Sequence, residues 1–208
     1  MVMTGFFDVN NSTIDTSTLI LVGNINGFLT RLDLMGQVKW IHTFSGPGIN
    51  GGASLKVDVS SNIYVTGGFQ DSIQLATLKL YDSGNDFYLS KFDENGNVMW
   101  GVQANCDGNV AVGSDIVLDF DGNCILTGAF NGNAHYGNFN VSTTNPYDMF
   151  ISKYNSSGTC LGIRNFGQAS GFSVTLDNYN NPICTGTFHY TVNIGSNILH
   201  HLEGKISI

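Results

Sequence analysis

Short apolar runs alternate along the whole chain with clusters of Gly, Asn, Asp and Ser. This is the pattern of strands and turns, not of helices. One full stretch predicts four strands, at residues 54–59, 63–69, 87–92 and 98–103. Ser60-Ser61-Asn62 and Asp93-Glu94-Asn95-Gly96-Asn97 are the turns, and residues 70–85 read as a longer connection. The following stretch repeats the plan at residues 115–120, 124–130, 149–154 and 160–165, with Asp121-Gly122-Asn123 as its first turn. Asp-Gly before Asn predicts a tight primed hairpin turn, which needs residues that tolerate positive φ. Within 87–92, Tyr88 and Phe92 lie on one face and Phe87 and Leu89 on the other. Two apolar faces predict a sheet packed on both sides.

The elements recur as near-copies. Phe28-Leu29-Thr30-Arg31-Leu32-Asp33 leads to Gly36 and then to Val38-Lys39-Trp40. Tyr88-Leu89-Ser90-Lys91-Phe92-Asp93 leads to Gly96 and Val98-Met99-Trp100, and Phe150-Ile151-Ser152-Lys153-Tyr154-Asn155 to Gly158 and Cys160-Leu161-Gly162. Thr4-Gly5-Phe6-Phe7, Thr66-Gly67-Gly68-Phe69, Thr127-Gly128-Ala129-Phe130 and Thr185-Gly186-Thr187-Phe188 recur in step, 62, 61 and 58 residues apart. A period of this size marks an array of units, none of which buries its apolar faces alone. Four-stranded antiparallel sheets stacked face to face around an axis make a β-propeller. A parallel β-helix has shorter coils, and a β-sandwich needs no strict repeat. The expected architecture is therefore an all-β propeller array over residues 1–208, with incomplete terminal blades at 1–44 and 172–208.

The order T-G-x-F, D-x-F-x-x-K-x-D, x-G-N-V-x-W, then a strand ending in Asp before D-G-N, resembles the bacterial-type β-propeller repeat known as SBBP. The resemblance covers nearly the whole chain. It implies a scaffold with no shared catalytic residues. The third copy departs from it, with Gly162 in place of Trp40 and Trp100 and Asn155 in place of Asp33 and Asp93.

Fourteen strands are expected, because the chain opens on the second strand of one unit and ends, at residues 204–208, on the third strand of another. A ring of four four-stranded blades needs two more. Open sheet edges invite pairing with another chain. The segments at residues 2–7 and 204–208 are thus expected to pair with a second copy or another protein, unless the chain is a piece of a longer propeller.

Composition narrows the function classes. Apolar residues make up 42% and charged residues 12%, enough for a large core. The net charge of −8, with sparse Lys and Arg, argues against nucleic acid, whose phosphates call for a basic stripe. No segment approaches the length of a membrane helix, and Met1-Val2-Met3 lacks the order of a secretory signal. Cys106, Cys124, Cys160 and Cys184 form no CxxC pair and read as small strand hydrophobes. Asn10, Asn11, Asn140 and Asn155 sit in sequons that chance supplies in so Asn- and Ser-rich a chain. Heavy Asn and Ile usage fits an AT-rich bacterial, protist or giant-viral genome. It leaves localisation open, with a virion or cell surface as one setting.

Candidate chemistry is thin. Arg31, Lys91 and Lys153 share one repeat position, and Asp58, Asp119 and Asp177 another. They form either two charged rings around a ligand or an ion pair or turn cap repeated in each unit, and repetition favours the second. Trp40 and Trp100 are expected to be buried at equivalent positions. The loops at Asp93 and Asp119 have the flavour of calcium loops but sit where turns are required and lack a bidentate Glu. His200 and His201 are adjacent, so in a strand they face opposite ways and cannot easily share a metal; His42, His135 and His189 stand apart. No nucleophile elbow or phosphate loop appears. Tyr81, Tyr136, Tyr147 and Tyr190 could stack on sugars or cover sheet edges. The expected function is a non-enzymatic scaffold for protein interaction or assembly, without a cofactor. A carbohydrate-binding propeller is the alternative, and a glycan-acting enzyme ranks below both.

Overall fold

The computed structural model describes residues 1–194 and 197–200. These form an all-β chain of antiparallel sheets in four successive units. The first unit holds β1 (Val2–Phe7), a small hairpin of β2 (Ser12–Ile14) and β3 (Ser17–Leu19), then β4 (Asn26–Leu32) and β5 (Val38–Ser45). The second holds β6 (Asn50–Val57), β7 (Ile63–Leu75), β8 (Leu78–Phe92) and β9 (Val98–Gln103). The third holds β10 (Ala111–Leu118), β11 (Cys124–Tyr136), β12 (Phe139–Tyr154) and β13 (Cys160–Gly167). The fourth holds β14 (Ala169–Leu176) and β15 (Pro182–Phe188), followed by a hairpin of β16 (Thr191–Ile194) and β17 (Asn197–His200). The strand expected at residues 204–208 lies outside the described residues.

One turn closes six hairpins. Asp33, Asp58, Asp93, Asp119, Asn155 and Asp177 each open it. In each, the amide of the fourth residue donates to the first carbonyl, and the first amide donates to the fifth carbonyl. The fourth residue, Gly36, Ser61, Gly96, Gly122, Gly158 or Asn180, has φ between 65° and 86°. This is a type I turn closed by a bulge, rather than the primed turn expected from the sequence. The opening side chain selects it. Asp93 Oδ1, for example, accepts from the amides of Asn95 and Asn97 at 2.9 and 2.8 Å.

The connection expected at 70–85 is not a loop. Beyond a break at Asp71, β7 and β8 stay paired from Ser72↔Tyr81 to Leu75↔Leu78. Beyond Gly132, β11 and β12 do the same to Tyr136↔Phe139. Each extension leans on the preceding unit, through Phe44↔Leu75 and Ser45↔Gln74 and through Cys106↔Ala134. Ile73, Leu75, Ala134 and Tyr136 are fully buried there. Their period-2 spacing is the strand signal hidden in the connections.

Two clusters carry the core. One unites Leu29, Phe44, Val65, Phe69, Tyr88 and Phe92 between the first two units. The other unites Phe87, Leu89, Leu126, Phe130, Tyr136 and Phe150 between the second and third. Strand β8 thus sends Tyr88 and Phe92 into one cluster and Phe87 and Leu89 into the other. Thr4, Thr66 and Thr127 donate Oγ1 to the carbonyls of Phe28, Tyr88 and Phe150 across each sheet. The glycine beside two of these threonines is forced by close approach. A Cβ on Gly67 or Gly128 would collide with the carbonyl oxygen of Gly51 or Val112. Among the described residues β1 pairs with β4 alone and β15 with β14 alone, and no packed strand interface joins the fourth unit to the first.

Candidate functional site

The repeated charges stay within the scaffold. Lys91 Nζ lies 3.6 Å from Asp58 Oδ2 and over the Tyr64 ring, and Lys153 Nζ lies 2.7 Å from Asp119 Oδ2. Both pairs join the third strand of a unit to its own first turn. Arg31 turns instead to the next unit, where it donates to the Glu94 carbonyl at 2.9 Å and faces the Glu94 carboxylate at 3.7 Å. Asp58, Asp119 and Asp177 each accept from the turn amides and from Asn62, Asn123 or Asn181. Burial works against the charge on Asp119, but Lys153 and Asn123 outweigh it and hold the pKa below its ordinary value. The three cations and three carboxylates therefore do not converge on one place.

Trp40 and Trp100 occupy equivalent places between units. Trp40 Nε1 donates to the Glu94 carbonyl at 3.0 Å and Trp100 Nε1 to the Ser156 carbonyl at 3.1 Å. Each ring lies on the turn of the next unit, where a Cβ on Gly96 or Gly158 would meet it at 2.9 or 3.0 Å. Both residues are half-buried rather than buried, the correction being that the next unit's turn and the core cluster cover only part of each side chain. His42 joins this contact, 2.8 Å from the Gly96 carbonyl and stacked on Phe92. At the third position, nothing lies within 4 Å of a Cβ on Gly162.

The innermost strands carry a residue that the pattern reading passed over. Asp115 Oδ1 accepts from Ser54 Oγ at 2.6 Å, and Oδ2 accepts from Ser173 Oγ at 2.7 Å and the Val174 amide at 2.9 Å. One carboxylate thus bridges the first strands of three units. Burial opposes its charge, but these bonds and the Ile116 amide keep its pKa below the ordinary value. Ser54, Asp115 and Ser173 share a repeat position, which is the signal that could have found them. Asn26, Asp86 and Asp148 share another, all buried opposite the Phe of the T-G-x-F strand. Asp86 accepts from the amides of Phe87, Ala104 and Asn105, and Asp148 from Asn145, Asn165 and the Gln168 amide. These carboxylates fasten the linker that leads to the next unit.

Other candidates are absorbed by the fold. The carboxylates of Asp93 and Asp119 are occupied by their own turns, and no group of three metal-ligating side chains is found among the described residues. His135 Nδ1 meets Asn140 Oδ1 at 2.7 Å, and His189 packs on Tyr147; His201 lies outside the described residues. The four cysteines are free, with Cys106 and Cys124 buried and Cys160 and Cys184 half-buried. Tyr136 is a core residue and cannot stack on a sugar, because its extension folds inward. Tyr81 and Tyr190 are 65% exposed. No helix among the described residues is long and apolar enough to cross a membrane.

Among the described residues, a cleft of about 950 Å³ lies between the third and fourth units. Met149, Ile151, Phe166, Cys184, Phe188 and Val192 line it, with Arg164 at one side.

No family model matches the chain. Over 166 residues it is 25% identical to a protein of Acanthamoeba polyphaga mimivirus described as an uncharacterized WD repeat-containing protein. The match covers 71% of this chain and 12% of that much longer relative.

Proposed function

We propose that the chain is an array of β-propeller blades, of the SBBP type, that serves as a non-enzymatic scaffold for protein interaction or assembly. The four units are its blades, the array runs over residues 1–208, and the terminal blades at 1–44 and 172–208 are incomplete. The mimivirus relative, whose name carries the WD repeat, supports both the propeller architecture and a protein partner. The observation that carries the functional reading is a contrast. The repeated polar side chains are consumed by turns, linkers and neighbouring units, while β1 and β15 keep an unpaired edge among the described residues. A surface whose described residues bring no acid, base and nucleophile together but offer strand edges suits strand addition by another chain.

The partner is a second copy or another protein, paired at the segments 2–7 and 204–208. Mass measurement in solution, joined to crosslinking, tests this. An assembly larger than 22.4 kDa, crosslinked through the terminal segments, is expected. A lone monomer with robust turnover of a substrate and no captured protein would overturn it. The exposed rings of Tyr81 and Tyr190 support a second reading as a glycan binder. A glycan array without hits would remove that reading and leave the first intact.

A further inference from the structure

We propose that the interface between the second and third units holds an ordered water molecule, bound by the hydroxyls of Tyr136, Tyr154 and Ser152. This goes beyond the scaffold reading and does not depend on any partner. All three residues are buried, Tyr136 completely and Ser152 and Tyr154 to within 1% and 2% exposure. None of the three hydroxyls has a hydrogen-bond partner among the described residues. A hydroxyl shut away from solvent without a partner is costly, and a small polar molecule shared by several of them removes that cost. A buried water typically makes about three such bonds.

The three hydroxyls come to one place. Ser152 and Tyr154 stand two residues apart on β12, so they face the same side of the sheet, toward the cluster that contains Tyr136. In the second unit, Ser90 and Leu75 hold the places of Ser152 and Tyr136, and a Cβ on Gly101 would meet them at 3.5 and 3.8 Å. The two positions are therefore neighbours. Burial raises the pKa of both phenols well above the ordinary value, Tyr154 adds to the rise at Tyr136, and Cys160 adds to both. The preceding interface shows that the fold does not require these hydroxyls. There Leu75 and Phe92 stand in place of Tyr136 and Tyr154, and Val98 in place of Cys160. Ser90 is also buried and unpartnered, but it lies among the apolar side chains of its cluster. Ala104 stands where Phe44 stands, four residues beyond Trp100 and Trp40, and gives up a phenyl ring's volume to the phenol oxygens and the water.

A high-resolution crystal structure tests the site directly. One density peak within about 3 Å of both Tyr136 Oη and Tyr154 Oη is expected. An empty space there, or a direct bond between the hydroxyls, overturns the proposal. Denaturant titration of Tyr136→Phe, Tyr154→Phe and the double variant gives an independent measure, and Phe92 shows that the fold accepts a phenyl ring at the second position. Each single change is expected to lower the unfolding midpoint, because it leaves the water and the remaining hydroxyls short of a partner. The double change is expected to lose less than the sum, since both phenols serve one molecule. Single changes that raise the midpoint, with gains that add, are the result of deleting unpaired hydroxyls from a dry core and overturn the proposal.

Discussion

Strands β11 and β15 share Ile, Thr, Gly and Phe at matching positions and meet opposite surroundings. Both have a Thr-Gly pair followed by Phe, both pair with a first strand through an irregularity at the same place, and both press a glycine against that strand's backbone. Yet β11 is buried over its first seven residues, while β15 has none buried. Burial is therefore not written into the strand. It is conferred by the third strand and by the neighbouring unit, as expected for a linear array whose stability resides in interfaces.

Truncation of an aromatic ring in each region tests this contrast at its largest. Phe150 is fully buried against Phe87, Phe130 and Tyr136. Phe150→Ala is expected to cost about 3–5 kcal/mol in a denaturant titration. Phe188 is half-buried, and Phe188→Ala is expected to cost about 1 kcal/mol. Equal losses would mean that the fourth unit is as enclosed as the third. Trp100→Ala comes next, at about 2 kcal/mol. Part of the side chain is already exposed, and the indole bond to Ser156 adds little net stability.

The same contrast separates what was legible in the sequence from what was not. The repeat, the turns and both faces of β8 could be read directly, because a turn residue or an apolar side chain reports its own requirement. The hairpin extensions were misread, since Gln74, Lys79 and Asp82 dilute the spacing of Ile73, Leu75, Leu78 and Leu80 into a loop-like composition. The half-burial of Trp40 and Trp100 depends on a turn one unit away, which no local pattern reports. Asp115 was passed over for a related reason, since its repeat position alone does not reveal a bridge. Its partners Ser54 and Ser173 lie about 60 residues to either side and are brought together only by the packing of three inner strands.

Acidity sharpens the comparison further. Burial pushes the Asp86 carboxyl from 3.8 up to about 7; the Asn105 amide opposes this and Asp82 adds to it. The folded state then holds a proton that the unfolded chain releases near pH 4. Stability from this group should fall as pH rises from about 4 to 7 and stay level above, by at most about 4 kcal/mol, roughly 1.4 kcal/mol for each of about three pH units. Asp86→Asn should flatten that slope, since Asn26 already holds the position in the first unit. Asp93, Asp115 and Asp119 act in a different window. Their folded values are lowered, so the stability that they contribute is lost only as pH falls below about 4. An unchanged slope in Asp86→Asn would show that the linker is not fastened by a protonated carboxyl.

The smallest expected effect comes from the first turns of the two units. Asp119 and Asp177 accept the same amide bonds, but the side chain of Asp119 is buried and meets Lys153 at 2.7 Å. Asn155 shows that an Asn can open this turn, since its Oδ1 accepts from the amides of Ser157 and Thr159. Replacing either Asp by Asn should therefore keep the turn and remove the charge alone. Asp119→Asn is expected to cost about 0.5–1 kcal/mol, the ordinary scale of a partly exposed ion pair. Asp177→Asn should cost less, because its position draws on the turn amides and Asn181. Raising salt from about 0.05 to 0.5 M should narrow the difference, because screening acts on the exposed Lys153 end of the pair. A larger loss from Asp177→Asn would show that the pair with Lys153 is not what distinguishes the two turns.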